Sequence, residues 1–212
     1  MAPSARVYAG MAAEERRARR RARLLEAGLE LLGTKGAQAT SVTAVCRLAR
    51  LTPRYFYESF RDLDELLVAI FDAIVAEVTE EVRARIPEGG DMRSTVRANI
   101  AAWVEITARD RRKGRVAFVE ALGSEPLMRR RLETSRRFAD LTVELARTFY
   151  GVSARETPGL EVAGLVVAGG LIETMVEWLE GGLSRAPEDV IEDFTNACVA
   201  SLEAAIPQAA SP

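Results

Sequence analysis

No stretch constrains this chain more than residues 40–60, TSVTAVCRLARLTPRYFYESF. Val42, Val45, Cys46 and Ala49 fall at i, i+3, i+4 and i+7, so a helix opening at Thr40 or Ser41 has one apolar stripe and a capping hydroxyl. Two residues, Arg50 and Leu51, are left for a turn. Thr52 is then placed to cap a second helix, and Pro53 suits its first position, where no backbone N–H is needed. Phe56 and Phe60, four apart, supply a buried face. The pattern predicts a helix-turn-helix whose second helix turns Pro53, Arg54, Tyr55, Tyr57 and Glu58 outward or toward its amino end.

Such a pair suits double-stranded DNA, because a short propped helix offers side chains and unpaired N–H groups to bases and phosphates. Arg54 is the candidate base reader, since a guanidinium bonds two acceptors on a guanine edge. The tyrosine hydroxyls of Tyr55 and Tyr57 reach phosphate or base, and the Thr52 methyl and Pro53 ring suit a thymine methyl. Thr40, Ser41 and Thr43 at the start of the first helix, and Arg61 after the second, complete the candidate DNA-binding set. The competing reading, three aromatics filling a core, conflicts with geometry: Tyr55, Phe56 and Tyr57 cannot share one face of a helix.

Charge supports the same end of the chain. Residues 1–61 have 12 Lys/Arg against 5 Glu, a balance of +7, and residues 62–212 have 17 against 26, a balance of −9. A basic end on an acidic body confines phosphate contact to that end. Six arginines lie between Arg16 and Arg23, predicted to back the complex by phosphate contact. The alternative partner for them is an acidic protein, which would make the chain a helical adaptor.

Enzyme classes fall away on composition. There is no histidine, which removes imidazole triads and the E-x-x-H pattern of di-iron bundles. Cys46 and Cys198, far apart in the sequence, read as small buried residues, so neither a metal site nor a cofactor is expected. Met1 to Ala13 lacks the apolar region of a secretory signal, and the expectation is a cytoplasmic, non-enzymatic protein.

The remaining periodicity is helical throughout and predicts an all-α chain of about nine helices. Residues 1–13, with Pro3, Ser4 and Gly10, read as a flexible arm whose Arg6 is a candidate minor-groove contact. Residues 14–61 form the helix-turn-helix domain, whose first helix buries Ala18, Ala22, Leu25, Gly28, Leu29 and Leu32. Residues 62–206 form a larger helical domain and 207–212 a tail. Within it, Asp62 caps a long helix through Leu63, Leu66, Leu67, Ile70, Ile74, Val78 and Val82, ended by Pro87-Glu88-Gly89-Gly90. Further helices are expected at 94–108, at 115–122 and at 126–150, the last with Phe138, Leu141, Leu145 and Phe149 inward and its arginines outward. The uncharged run Val162 to Ile172 is too short for a bilayer and flanked by glutamates, so it reads as buried in protein, with no membrane partner. Pro187 or Glu188 starts the last helix, apolar over a broad arc.

With Arg61-Asp62-Leu63-Asp64-Glu65-Leu66-Leu67 following it, the segment from Thr40 resembles the DNA-binding end of the tetracycline-repressor-like (TetR) family, over about residues 24–67. Three positions depart from that pattern. Arg50 stands at the usual turn glycine, Ser59 replaces a histidine, and Leu63 replaces a lysine that contacts phosphate in relatives. The resemblance implies a homodimer built on the last two long helices, here through Val167, Gly170, Thr174, Ile191, Phe194 and Cys198. It also implies repression relieved by a small-molecule effector, apolar or aromatic, in a cavity lined by Trp103, Phe118, Phe138, Phe149, Met175 and Trp178. Two recognition helices related by a twofold axis would read palindromic half-sites about 34 to 36 Å apart, or a multiple of that.

Overall fold

Helical hydrogen bonding closes almost every stretch that the periodicity marked. The computed structural model describes residues 5–86, 89–153 and 157–206, the side chains of 5–12 and 122 excepted. Among them are nine α-helices and no strand: α1 (Ala5–Lys35), α2 (Val42–Ala49), α3 (Pro53–Tyr57), α4 (Leu63–Arg85), α5 (Met92–Arg109), α6 (Arg111–Gly114), α7 (Glu125–Tyr150), α8 (Gly159–Glu180) and α9 (Pro187–Ala204). A single turn of 3-10 helix, Ala37–Ala39, precedes α2. After α6 the path continues as a π-helical turn, Arg115–Val119, and a 3-10 turn, Glu120–Gly123, in place of the plain helix expected there.

α1 differs from expectation in length and in phase. It is helical from Ala5, within the expected arm, where Ala5, Ala9, Ala12 and Ala13 favour helix. Residues 1–4, the side chain of Arg6 and the tail at 207–212 lie outside the described residues. The buried stripe of α1 is Leu24, Ala27, Gly28, Leu31 and Leu32, with Leu29 at its edge, while Ala18 and Ala22 are exposed and Leu25 is half-buried. Continued toward the amino end at the same spacing, that stripe passes through Arg21, Arg20 and Arg17. Leucine therefore faces the core and arginine faces α3.

α4 opens where Asp62 accepts a bond from the Glu65 N–H at 2.8 Å, and it ends at Arg85. Its apolar side gains Phe71, which is 2% exposed. α5 is buried on nearly every side, down to Ala101 and Ala102, and packs between α4 and α9. Asp91 caps it through the Ser94 N–H at 2.7 Å. The inward face of α7 is not the aromatic one expected. Leu127, Ala139, Thr142, Val143 and Ala146 are buried, Phe138 and Leu145 are half-buried, and Leu141 and Phe149 are exposed. Small residues won that face because α8 lies close: a Cβ at Gly164 would meet Val143 Cγ2 at 2.7 Å and the Ala139 carbonyl oxygen at 3.1 Å.

α8 is long and apolar enough, by length and composition, to cross a membrane, yet it packs on α7 and α9. Val167, Ile191 and Cys198, expected at an interface between copies, are buried in the chain's own core. Phe194 is half-buried against Gly170, where an added Cβ would stand 3.4 Å from its ring, and Thr174 is half-buried as well. The apolar residues that α8 leaves outward are Val162, Leu165 and Val166, 64%, 58% and 58% exposed. A helix apolar all round has no sequence phase, so burial could not be assigned to one side of it in advance.

The amino-terminal unit meets the larger domain along α1. Gly33 permits that approach, because a Cβ there would stand 2.5 Å from Arg112 Cβ and 2.7 Å from Arg112 Cα. Arg112 then reaches Glu30 at 2.7 Å and Glu26 at 3.0 Å on α1, and Asp110 at 2.7 Å. Two residues past α1, the Ala37 N–H donates to Glu120 Oε2 at 3.2 Å.

Candidate nucleic-acid interface and effector cavity

α2 begins as its sequence requires: Ser41 is extended and its Oγ accepts from the Ala44 N–H at 3.2 Å. Val45, Cys46 and Ala49 are buried. The turn is made by Arg50 in the left-handed region, φ 52° and ψ 47°, the one such non-glycine among the described residues. An L-residue pays about 1–2 kcal/mol for that conformation. Several bonds hold it there. Arg50 N donates to the Arg47 carbonyl at 3.2 Å, Leu51 N to that of Cys46 at 2.9 Å, and Arg23 of α1 donates to the carbonyl of Ala49.

Pro53 opens α3, a helix of five residues. Thr52 occupies the cap position with extended backbone, but its side chain makes no capping bond, contrary to expectation. α3 stops at Tyr57, and the chain bends so that Phe60 still closes on Phe56, their ring centroids 5.7 Å apart. Phe56 and Phe60 are buried, Tyr57 is 61% exposed, and Tyr55 is half-buried with the Arg20 guanidinium 4.5 Å above its ring. Ser59 donates to the Tyr55 carbonyl at 3.2 Å.

The candidate DNA residues thus divide. Ser41, Thr43, Thr52, Pro53, Arg54, Tyr57 and Arg61 are exposed around α3 and the start of α2. Thr40 is not available, being 4% exposed with its hydroxyl donating to the Gly36 carbonyl at 2.9 Å. Arg54 Nε rests on Glu58 at 3.2 Å, and Arg61 Nε on Glu65 at 3.1 Å. Arg61's N–H and side chain hold the Glu65 carboxyl below its ordinary pKa. Leu63, where a phosphate-contacting lysine is usual, is half-buried against the core.

The α1 arginines do something that sequence reasoning missed. Arg17 donates to the Glu58 carbonyl at 2.7 Å, Arg20 pairs with the Glu58 carboxylate at 3.5 Å, and Arg21 lies 4.7 Å over the Phe60 ring. Four of the six expected phosphate contacts, counting Arg23, therefore prop the helix pair. Arg16 and Arg19 remain exposed, Arg19 paired with Glu15 at 2.6 Å. The signal was available in the spacing, since Arg17, Arg20, Arg21 and Leu24 fall at i, i+3, i+4 and i+7.

A cavity of about 390 Å³ opens between α4, α5, α7, α8 and the π-helical turn. Of the expected lining, Trp103, Phe118 and Phe138 are there, with Trp103 and Phe118 edge to face at 5.1 Å. Phe149, Met175 and Trp178 are not in its wall. Phe149 is on the outer side of α7, Met175 is wholly buried core, and Trp178 donates its Nε1–H to the Arg185 carbonyl at 3.0 Å. Phe71, Val75 and Val78 of α4 and Leu171 of α8 replace them. The cavity thus shares a wall with α4, the helix that begins beside α3. Arg130 of α7 also binds Asp72 of α4 at 2.6 Å. Cys46 and Cys198 are free and buried, the Cys198 thiol pushed up to about 12 by burial. No cluster of potential metal ligands occurs among the described residues.

Comparison with known proteins agrees with this geometry. Residues 24–70 match the family described as bacterial regulatory proteins, tetR family. An HTH-type transcriptional regulator BetI of Burkholderia cenocepacia is 28% identical over 175 residues, spanning 80% of this chain and 86% of that one. The structure of the transcriptional regulator FadR from Bacillus subtilis in complex with stearoyl-CoA superposes with a TM-score of 0.71 at 15% identity, over 84% of this chain and 97% of that one. A TetR-like transcriptional regulator from Rhodococcus sp. RHA1 gives 0.68 at 17% identity, over 87% and 96%.

Proposed function

We propose that this chain, which belongs to the tetR family of bacterial regulatory proteins through its residues 24–70, is a homodimeric repressor that leaves a palindromic operator when a small molecule fills its cavity. The observation that bears most weight is the exposed end of α3. A five-residue helix is propped from behind by three arginines and two buried phenylalanines, while Pro53, Arg54 and Tyr57 face solvent at the basic end of the molecule. Nothing in folding alone requires a helix so short to be braced so heavily. Its function is to hold Arg54 at a fixed angle to a major groove, with the Ser41 and Thr43 side of α2 toward the phosphates.

The outward face of α8, Val162, Leu165 and Val166, is the surface for a second copy, and a twofold axis there presents two α3 helices to one duplex. The FadR structure holds an acyl-CoA, which supports a largely apolar effector here. Filling the cavity moves its α4 wall and the π-helical turn. That turn is flanked by α6, tied to α1 through Arg112, and by the 3-10 turn whose Glu120 accepts from the Ala37 N–H just past α1. The working site is the bacterial cytoplasm, where operator DNA lies.

Fluorescence anisotropy with DNA from around the gene, titrated at several salt concentrations beside a scrambled duplex, tests the reading. Tighter binding to a palindromic duplex, with a steep salt slope, is expected. Absence of binding at low salt would return the arginine-rich α1 to the role of a protein-binding face. Val166→Glu is expected to shift the chain toward monomer in light scattering and weaken operator binding with it.

A further inference from the structure

The cavity wall includes four arginines, Arg83, Arg130, Arg131 and Arg137, and no aspartate or glutamate. Two are neutralised from outside the wall: Arg83 pairs with Glu80 at 2.7 Å, and Arg130 with Asp72 at 2.6 Å. Arg131 has no such partner among the described residues. Its Nη1 donates to the Phe118 carbonyl at 3.0 Å, its Nη2 faces Met128 Sδ at 3.5 Å, and its Nε is buried with no bond. Burial pushes its guanidinium below the usual arginine pKa. In the same wall, Asn99 Oδ1 of α5 is also buried and unbonded.

Arg131 is half-buried, and taking a cation partly out of water without an opposite charge is costly, as is a buried N–H without an acceptor. Folding does not need this arrangement, because a leucine or methionine at 131 would fill the same wall. An acidic group in the cavity would meet both needs of Arg131, while Phe71, Val75, Val78 and Leu171 cover an apolar body. A cationic ligand would find arginines and no carboxylate in the wall itself.

We infer that the effector of this cavity is an acidic amphiphile, an apolar chain with an anionic head held by Arg131. The inference rests on the cavity's being the effector site. Its chemistry is shared by a free fatty acid and by the coenzyme A thioester of one, and the test separates them.

The test is calorimetric titration of the full-length protein with dodecanoate, dodecanoyl-coenzyme A, dodecanol and dodecyltrimethylammonium, each below its micellar concentration, with quenching of Trp103 as a second readout. Dodecanoate or its thioester is expected to bind at least about tenfold tighter than dodecanol, with the cation weakest. Whichever of the two anionic probes binds tighter identifies the source. Arg131→Met is expected to abolish the preference for an anionic head without abolishing dodecanol binding, and Arg131→Lys to restore part of it. A variant that only loosened the fold would weaken every probe alike. Equal binding of dodecanol and dodecanoate, or an anion preference untouched in Arg131→Met, would overturn the inference and leave the cavity as effector site. Failure of all four probes would overturn both.

Discussion

Arginine is used in two ways in this molecule, and the boundary falls between its two units. In the amino-terminal unit the arginines of α1 that brace the helix pair do so through uncharged groups, Arg17 and Arg23 on backbone carbonyls and Arg20 and Arg21 over aromatic rings. Arg20 and Arg54 also meet Glu58, Arg61 meets Glu65 and Arg19 meets Glu15. Beyond residue 61, most arginines meet carboxylates. Arg97 pairs with Glu192 and Glu188, Arg109 with Glu81, and Arg112 with Glu26, Glu30 and Asp110. A carbonyl or a ring fixes a guanidinium without cancelling its charge, and a carboxylate cancels it. The first unit therefore stays rigid and positive at once, which a DNA-binding surface requires. Arg131, like Arg111 on the Leu179 carbonyl, meets a backbone oxygen in the larger domain instead, and it marks the cavity.

The largest test of this contrast is in the cores. Phe56→Ala removes a side chain that is 0% exposed and should lower the unfolding free energy by about 3–5 kcal/mol in urea titrations. Phe138→Ala, half-buried beside existing empty space, should cost about 1 kcal/mol. Equal losses would mean that the larger domain is packed as tightly as the smaller. Next is DNA binding. Arg54→Ala should cost about 1–3 kcal/mol on the operator and relax preference at one base position, whereas Arg16→Ala should weaken all duplexes alike and reduce the salt slope by about one. If Arg54→Ala also weakened all sequences uniformly, Arg54 would be a phosphate contact.

Salt separates the two uses of arginine directly. Arg23→Gln and Arg112→Gln should each cost about 1 kcal/mol in dilute buffer, and only the second loss should shrink as sodium chloride is added. Acid gives the same answer by another route. The Arg112 guanidinium holds the Asp110 carboxyl below its ordinary pKa, so this pair's contribution is complete above the usual aspartate range and is lost as pH falls through the lowered value. The Arg112→Gln difference should therefore vanish in acid. The smallest effect has the opposite sign. Arg50→Gly, at φ 52°, should raise stability by about 0.5–1 kcal/mol in thermal denaturation, since glycine accepts the left-handed turn without strain.

The sequence made parts of this legible because they depend on neighbours along the chain. The Ser41 and Asp62 caps, the Pro53 start and the Phe56–Phe60 pair are such features, and they placed α2, α3 and the start of α4. What went astray depends on which side of a helix meets another. α1 has leucines at 24, 25, 29, 31 and 32, enough for two overlapping stripes, and tertiary contact selected one of them. α7 turned small residues inward because Gly164 brings α8 close, and so left Leu141 and Phe149 outside. In α8 apolar residues surround the axis, and in α9 they cover a broad arc, so the buried Val167, Ile191 and Cys198 could not be told from positions facing a second copy. Half of the expected cavity lining, Phe149, Met175 and Trp178, failed for the same reason: side-chain type carries no information about direction.

The meeting of Gly33 with Arg112 has a consequence for how such proteins can be recombined. Because no side chain fits at position 33 against the backbone of α6, the first 61 residues cannot be joined to an arbitrary sensing domain by matching α4 alone. A chimera that preserves this pair of positions together should relay its signal, whereas one that exchanges only one of them would wedge α1 away from the body. The inheritable unit is thus the seam, and a designer of new sensors from this scaffold should choose donors by the residue opposite Gly33 before choosing them by ligand.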